Sequence, residues 1–393
     1  MRTRRCDASQ TSEDELFVNA TCGRQTHGAR SRRCELVSSA SEATWTRRPS
    51  AVPLRRSSRR SLLLCFAMAL FVIEAATGSA AAHQGHFHSL TLGQATEFSV
   101  VSPGPRDAFA WPYLFILPPA AVERAERGDT VRLLVVPNDT GHASDRFLDH
   151  EVAALETASQ SVFLAEAIES VLLVPMVARP AAHERVQTQA LDRDCFRTEV
   201  DVLRRPDLQV LAMIDHASKE LRRRGWSVDD RALMSGFSAG GLFVQRFTAL
   251  HPERVAAAAS GGLGGWVWLP METVGEYELP YPVGAADLEE LTDAPFDRDA
   301  WSRVPQLIYM ESGDSTDLIR TDDNYDSAAQ ELILSQFGAD LLVRWETAQQ
   351  TYRTASPRSR LEQFEGDGHE ITPEMQREIV AFFKRNLSGL ASE

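Results

Sequence analysis

From residue 98 onward, short apolar runs rich in β-branched residues alternate with longer stretches of helical period, the pattern of a mostly parallel sheet covered on both faces. The runs FSVVS (98–102), YLFIL (113–117), VRLLVVP (131–137), SVLLVPM (170–176), RALMS (231–235), VAAAAS (255–260), QLIYM (306–310) and LLVRW (341–345) predict strands. The first two read as an antiparallel entry to the sheet.

Helical patterns fall around 150–167, 206–224, 240–250, 324–337 and 373–386. In the second, Leu211, Ile214, Ala217 and Leu221 recur at helical spacing. In the last, Thr372 suits an N-cap, Pro373 the first helical position, and Met375, Ile379, Phe382 and Phe383 a buried stripe. The stretch 262–300 breaks the alternation: GGWVWLP, ELPYPVG and an acidic run carry aromatics and prolines without clear period, which predicts an irregular, lid-like insertion. The fold class expected is α/β, a mostly parallel central sheet with helices on both faces, in a single domain over 83–393.

The N-terminal part differs in charge. Of the 41 Lys and Arg, 13 lie in residues 1–60, leaving 28; of the 55 Asp and Glu, 6 lie there, leaving 49, so the body is strongly acidic. An acidic surface opposes nucleic acid or an anionic membrane as main partner. Arginines 55, 56, 59 and 60 precede LLLCFAMALFVIEAA and then TGSAAAHQ, the charged, apolar and small-residue regions of a signal peptide over 55–82 with cleavage after Ala82. SRRSLLL (58–64) resembles a twin-arginine export signal. A membrane anchor is the competing reading, opposed by the short run and its Glu74. Residues 1–54 read as an over-extended gene start or a disordered extension. The expected location is secreted or periplasmic, with membrane contact only through an uncleaved signal segment. Four of five cysteines lie in the leader region, so the body keeps Cys195 alone, read as an incidental thiol.

Candidate chemistry centres on GFSAG, which sets Ser238 between a predicted strand and a predicted helix, the context of a nucleophile elbow. A serine needs a base, and the base an orienting carboxylate. His369 in EGDGHEI lies before the last helix in a glycine-bracketed loop; QLIYMESGDSTD offers Asp314 as the acid, with Asp317 as competitor. The oxyanion donors expected are the N–H of Ala239 and one from PNDTG, Asp139 or Thr140. No metal or cofactor is called for. HQGHFH (83–88) has metal-like histidine spacing but reads as a flexible tail rather than a metal site, TDDNYD (321–326) reads as a solvated helix start, Asp192 and Arg193 as a pair beneath the site, and Trp266 and Trp268 as substrate-stacking or packing residues.

LLVVPNDTG, TQALDRD, GFSAGGLFVQRFTALHPERV, IYMESGD and GDGHE resemble the α/β-hydrolase superfamily over roughly residues 98–388, within it secreted esterases of the polyhydroxybutyrate-depolymerase and feruloyl-esterase-like group. The resemblance implies a serine hydrolase acting on small-molecule or polymeric esters, with Ser238, Asp314 and His369 as its triad. Glu311 stands where the group's strand runs into a glycine. Competing readings are a serine exopeptidase with the same triad, and a hydrolase-fold binding protein whose catalysis has lapsed.

Overall fold

The computed structural model describes residues 87–91, 97–321, 324–366 and 368–389. The proposed extension and signal peptide lie outside these. Among the described residues, nine strands form one sheet in the order β1-β2-β3-β5-β4-β6-β7-β10-β11. In chain order these are β1 (Phe87–Thr91), β2 (Glu97–Val101), β3 (Tyr113–Leu117), β4 (Leu133–Val135), β5 (Val171–Pro175), β6 (Ala232–Phe237), β7 (Val255–Gly261), β10 (Gln306–Glu311) and β11 (Ser359–Phe364). Pairing is antiparallel from β1 through β3 to β5 and parallel from β5 onward. The antiparallel entry and parallel body are the sheet that the sequence pattern predicts.

Period-two burial divides the sheet between two helical layers. Tyr113, Phe115, Leu133, Val135, Leu173 and Met234 face one way, against Val210, Met213, Ile214, Ala217 and Leu221 of the helix Pro206–Arg223 and Phe243 and Phe247 of the helix Ala239–Leu250. Their neighbours Leu114, Ile116, Leu134, Leu172, Leu233, Leu307 and Tyr309 face the other way, against the helices Phe147–Ala167 and Pro373–Gly389. The predicted stripe Met375, Ile379, Phe382 and Phe383 is buried there, and Thr372 Oγ1 accepts the Met375 N–H at 3.2 Å, as an N-cap does. Strands buried on both faces need no alternation, which is why β3 to β5 are apolar throughout and β7 is apolar up to Ser260.

Four expectations are corrected. LLVRW is not a strand: it opens the helix Leu341–Ala355, capped by Asp340, whose carboxylate accepts the Leu342 N–H, with Arg344, Trp345, Ala348 and Tyr352 turned inward. The last strand is β11, an edge strand whose half-exposed sequence SRLEQF carries little apolar signal. The insertion 262–300 is ordered, holding a short hairpin of β8 (Thr273–Val274) and β9 (Tyr277–Glu278) and helices Leu288–Thr292 and Arg298–Arg303, and it builds a third hydrophobic cluster. The TDDNYD segment is not a solvated helix start throughout: Tyr325 is buried against Arg246, and the helix begins at Ser327 behind the Asp326 cap. Of HQGHFH, Phe87 and His88 belong to β1, and the rest lies outside the described residues. No described helix is long and apolar enough to cross a membrane.

Candidate active site

Ser238, Asp314, His369 and the segment Asp139–Thr140 each follow the C-terminal end of a parallel strand, the side on which open α/β sheets bind ligands. Strand β6 delivers Ser238 in a turn with φ 56° and ψ −127°, a conformation L-residues rarely adopt, so its side chain stands clear of strand and helix. Tight packing holds the turn: a Cβ on Gly236 would lie 2.2 Å from the Gly240 carbonyl oxygen, and one on Gly241 2.4 Å from that of Gly261. The Ser238 N–H donates to the Gly261 carbonyl at 3.0 Å, tying the elbow to β7. The helix Ala239–Leu250 then presents its positive end to whatever lies at the serine.

Strand β10 ends at Glu311, and Asp314 follows three residues later. The Asp314 carboxylate accepts the Thr316 N–H through Oδ1 and lies 2.8 Å from His369 Nδ1 through Oδ2. The competitor Asp317 instead pairs with the buried guanidinium of Arg344 at 2.5 Å. His369 sits in the loop from β11 to the last helix, with its ring against Phe237, the residue before the serine, at 4.8 Å between centroids. Gly262, at φ +60°, leaves the space beside His369 Cε1 that a side chain would take. His369 Nε2 is buried and has no hydrogen-bond partner among the described residues. Ser238 and His369 line one cleft of about 590 Å³, together with Asp139, Thr140, Gly141 and one face of the helix Phe147–Ala167.

The segment expected to supply the second oxyanion donor departs from the expected picture. The Thr140 N–H is committed to Gln189 Oε1 at 3.1 Å, which removes it as a donor to substrate. The Ala239 N–H points into the site, but it donates to Asp139 Oδ2 at 3.2 Å, while Oδ1 accepts the Gly141 N–H.

Trp266 and Trp268 are core residues: each is at most 2% exposed, and their indole N–H groups donate to the Val283 and Gly284 carbonyls. Trp266 packs on Phe337 and Trp268 on Phe296 and Trp301, so neither lines the Ser238 cleft. Asp192 and Arg193 do not pair. Asp192 accepts from Gln187 N–H and from the Cys195 N–H and thiol, whereas Arg193 bonds Asp287 and the Tyr281 carbonyl. Burial pushes the Asp192 carboxyl up to about 7 and drives the Cys195 thiol well above its ordinary range, leaving Cys195 unreactive.

Two residues not singled out as functional complete the site. Glu311 is 4% exposed and its Oε2 accepts the Gly368 N–H at 2.6 Å, clamping the loop that carries His369. Its position, where the resembling group has glycine, was the available signal. Gln189 ties the Asp139–Gly141 loop down, accepting the Thr140 N–H while its amide donates to the Val177 carbonyl; it lies in TQALDRD, a stretch that carries the resemblance without marking which residue acts. Among the described residues, no group of three or more His, Cys, Asp or Glu side chains gathers as metal ligands.

No family model and no curated protein matches this chain. Solved structures similar to it in backbone include an S-formylglutathione hydrolase from Agrobacterium tumefaciens, with TM-score 0.42, 13% identity, and coverage of 78% of this chain and 99% of that one. A ferulic acid esterase matches with TM-score 0.39 and 12% identity, covering 75% of this chain and 97% of that one. A glucuronoyl esterase from Solibacter usitatus matches with TM-score 0.39 and 13% identity, covering 79% and 88%.

Proposed function

We propose that this protein is an exported serine hydrolase that cleaves carboxylic esters through an acyl-enzyme on Ser238. The observation that carries the reading is the convergence on one cleft of a strained-turn serine and a histidine whose Nδ1 is held 2.8 Å from a buried carboxylate. His369 Nε2 takes the Ser238 hydroxyl proton as Oγ bonds to the ester carbonyl carbon, and the Asp314 carboxylate holds the imidazole tautomer and stabilises the imidazolium. The tetrahedral oxyanion takes the Ala239 N–H and, with Thr140 engaged, the Asp139 N–H. Collapse breaks the C–O bond to the alcohol, which leaves with the proton from Nε2. Water, deprotonated by the same nitrogen, then hydrolyses the acyl-enzyme and frees Ser238. The ester bond as target follows from the motifs the chain shares with secreted esterases; export follows from the leader.

The test is hydrolysis of a chromogenic ester series from acetyl to long acyl chains, with a fluorophosphonate probe as a substrate-independent reading of nucleophile activation. Hydrolysis and labelling that both vanish in Ser238→Ala support the proposal. Labelling with no hydrolysis across the series moves the target to another acyl bond. No labelling of either protein defeats the serine-hydrolase reading.

A further inference from the structure

A substrate carbonyl must find its oxyanion donors open at the moment of attack, because each donor is worth on the order of 100- to 1000-fold in rate. In the free protein one of them is taken. Asp139 reaches across 100 residues of sequence to place a carboxylate oxygen 3.2 Å from the Ala239 N–H, and its second oxygen holds Gly141 N–H, so the side chain bridges the oxyanion loop and the first residue of the elbow helix. An anion in that position competes with the developing oxyanion twice, by occupying the donor and by repelling the charge. Among the described residues, the lining of the cleft carries Asp139, Glu156 and Glu370 and, apart from His369, no basic side chain to offset them.

We infer that Asp139 sets the specificity of this site, holding the Ala239 N–H in the free enzyme and releasing it to esters that carry a positive charge near the acyl carbon, in preference to neutral or anionic ones. This rests on the serine-esterase reading above. An ammonium on the acyl chain donates to the Asp139 carboxylate and draws Oδ2 off the N–H, and the Gly141 contact can stay. A neutral ester has to break the same charge-assisted contact with nothing in return. An anionic acyl group meets the carboxylates of the cleft directly.

The test uses three phenyl esters of similar size: that of β-alanine, its neutral isostere phenyl butanoate, and the anionic phenyl hydrogen glutarate. For the parent protein the expected order of kcat/KM is cationic over neutral by on the order of tenfold, the worth of one charge-assisted hydrogen bond in a partly open cleft, with the anionic ester last. In Asp139→Asn, whose amide oxygen can still take the Gly141 N–H, the cationic preference falls to about unity and kcat/KM for phenyl butanoate rises. Asp139→Ser is the second variant, with the same expectation, and thermal unfolding checks that each folds.

A parent without cationic preference overturns the inference. So does an Asp139→Asn that unfolds at lower temperature yet keeps the preference, because that is what a helix-end contact of purely structural worth would give. Glu156→Gln erasing the preference as fully as Asp139→Asn would assign it to the general field of the cleft. Fluorophosphonate labelling of Ser238 in parent and variants separates these outcomes from failure of the esterase reading, which no labelling anywhere would signal.

Discussion

Two aspartates three residues apart leave strand β10, and their partners predict opposite consequences of the same chemical change. In Asp314→Asn the amide oxygen keeps the Thr316 N–H and turns its NH₂ toward His369 Nδ1, now 2.8 Å from a donor instead of an acceptor. The imidazole proton moves to Nε2, the nitrogen proposed to accept the serine proton, so kcat should fall by on the order of 10,000-fold, about 5 kcal/mol of transition-state stabilisation. Global stability should change by under about 1 kcal/mol, since the substitution is isosteric.

Asp317→Asn removes the counter-charge of Arg344, whose side chain is 1% exposed and, among the described residues, otherwise donates to the Gly265 and Gly338 carbonyls. Breaking a wholly buried pair costs about 3–5 kcal/mol, but the Asp317 side chain is 31% exposed and solvent can relieve part of the loss, so about 2 kcal/mol is expected, or about 4 °C in Tm for a domain this large. Its kcat should stay within about tenfold. Ester hydrolysis and fluorophosphonate labelling rates read the first quantity, and thermal unfolding followed by circular dichroism reads the second. A silent Asp314→Asn beside an inactive Asp317→Asn would refute the assignment of the acid and with it the reading of the β10 loop.

The elbow should be equally unforgiving at Gly241: the 2.4 Å approach of an added Cβ to the Gly261 carbonyl in Gly241→Ala would push the helix off β7, abolishing labelling of Ser238, and retained labelling would show that the contact yields. Asp192 should make stability depend on pH. Its folded carboxyl titrates at about 7 against about 4 unfolded, so the folded state binds the extra proton between them; its contribution is present below about pH 4 and is lost as pH rises through 7, a few kcal/mol in urea unfolding that Asp192→Asn should flatten. Trp268→Ala should cost about 3–5 kcal/mol in stability while kcat/KM stays within a few-fold, and selective loss of activity in the folded variant would return this indole to the substrate site.

The parts of this architecture legible in the sequence are those whose physics is local. YLFIL and QLIYM announce strands because a run buried on both faces has to be apolar, and glycine, serine and glycine in GFSAGG report an approach of backbone to backbone that admits no side chain. LLVRW misled because a five-residue run with four apolar members satisfies a strand and a helical turn equally; Asp340 before it and Ala348 and Tyr352 beyond it carry the deciding signal. SRLEQF escaped because an edge strand has one neighbour and a wet face. Trp266 and Trp268 are large amphipathic residues in a proline-rich stretch, and whether such a ring meets ligand or core depends on residues as distant as Phe337 and Trp301. The Asp139 contact with Ala239 is of the same kind, since no spacing rule relates a side chain to an N–H a hundred residues on.

Strand β10 sends out carboxylates at three-residue intervals, and the structure gives each a different partner: Glu311 the Gly368 N–H, Asp314 the His369 ring, Asp317 the Arg344 guanidinium. The first and second therefore act on one loop, the first on its backbone and the second on its side chain. A glycine at 311 would leave the His369 loop to find its own position; the glutamate fixes it, and a Cβ on Gly366 would lie 2.3 Å from Glu311 Oε2, so the chain makes room for the clamp. Glu311 is thus a positioning residue. Glu311→Ala should lower kcat by about ten- to a hundredfold with KM nearly unchanged, because misplacing a base by about an ångström is costly in the transition state and cheap in the ground state. Glu311→Gln keeps an acceptor for the Gly368 N–H and should restore most of the rate. If the glutamine and alanine variants lose rate equally, the negative charge matters and the hydrogen bond does not; if neither loses any, the loop holds His369 through Asp314 alone.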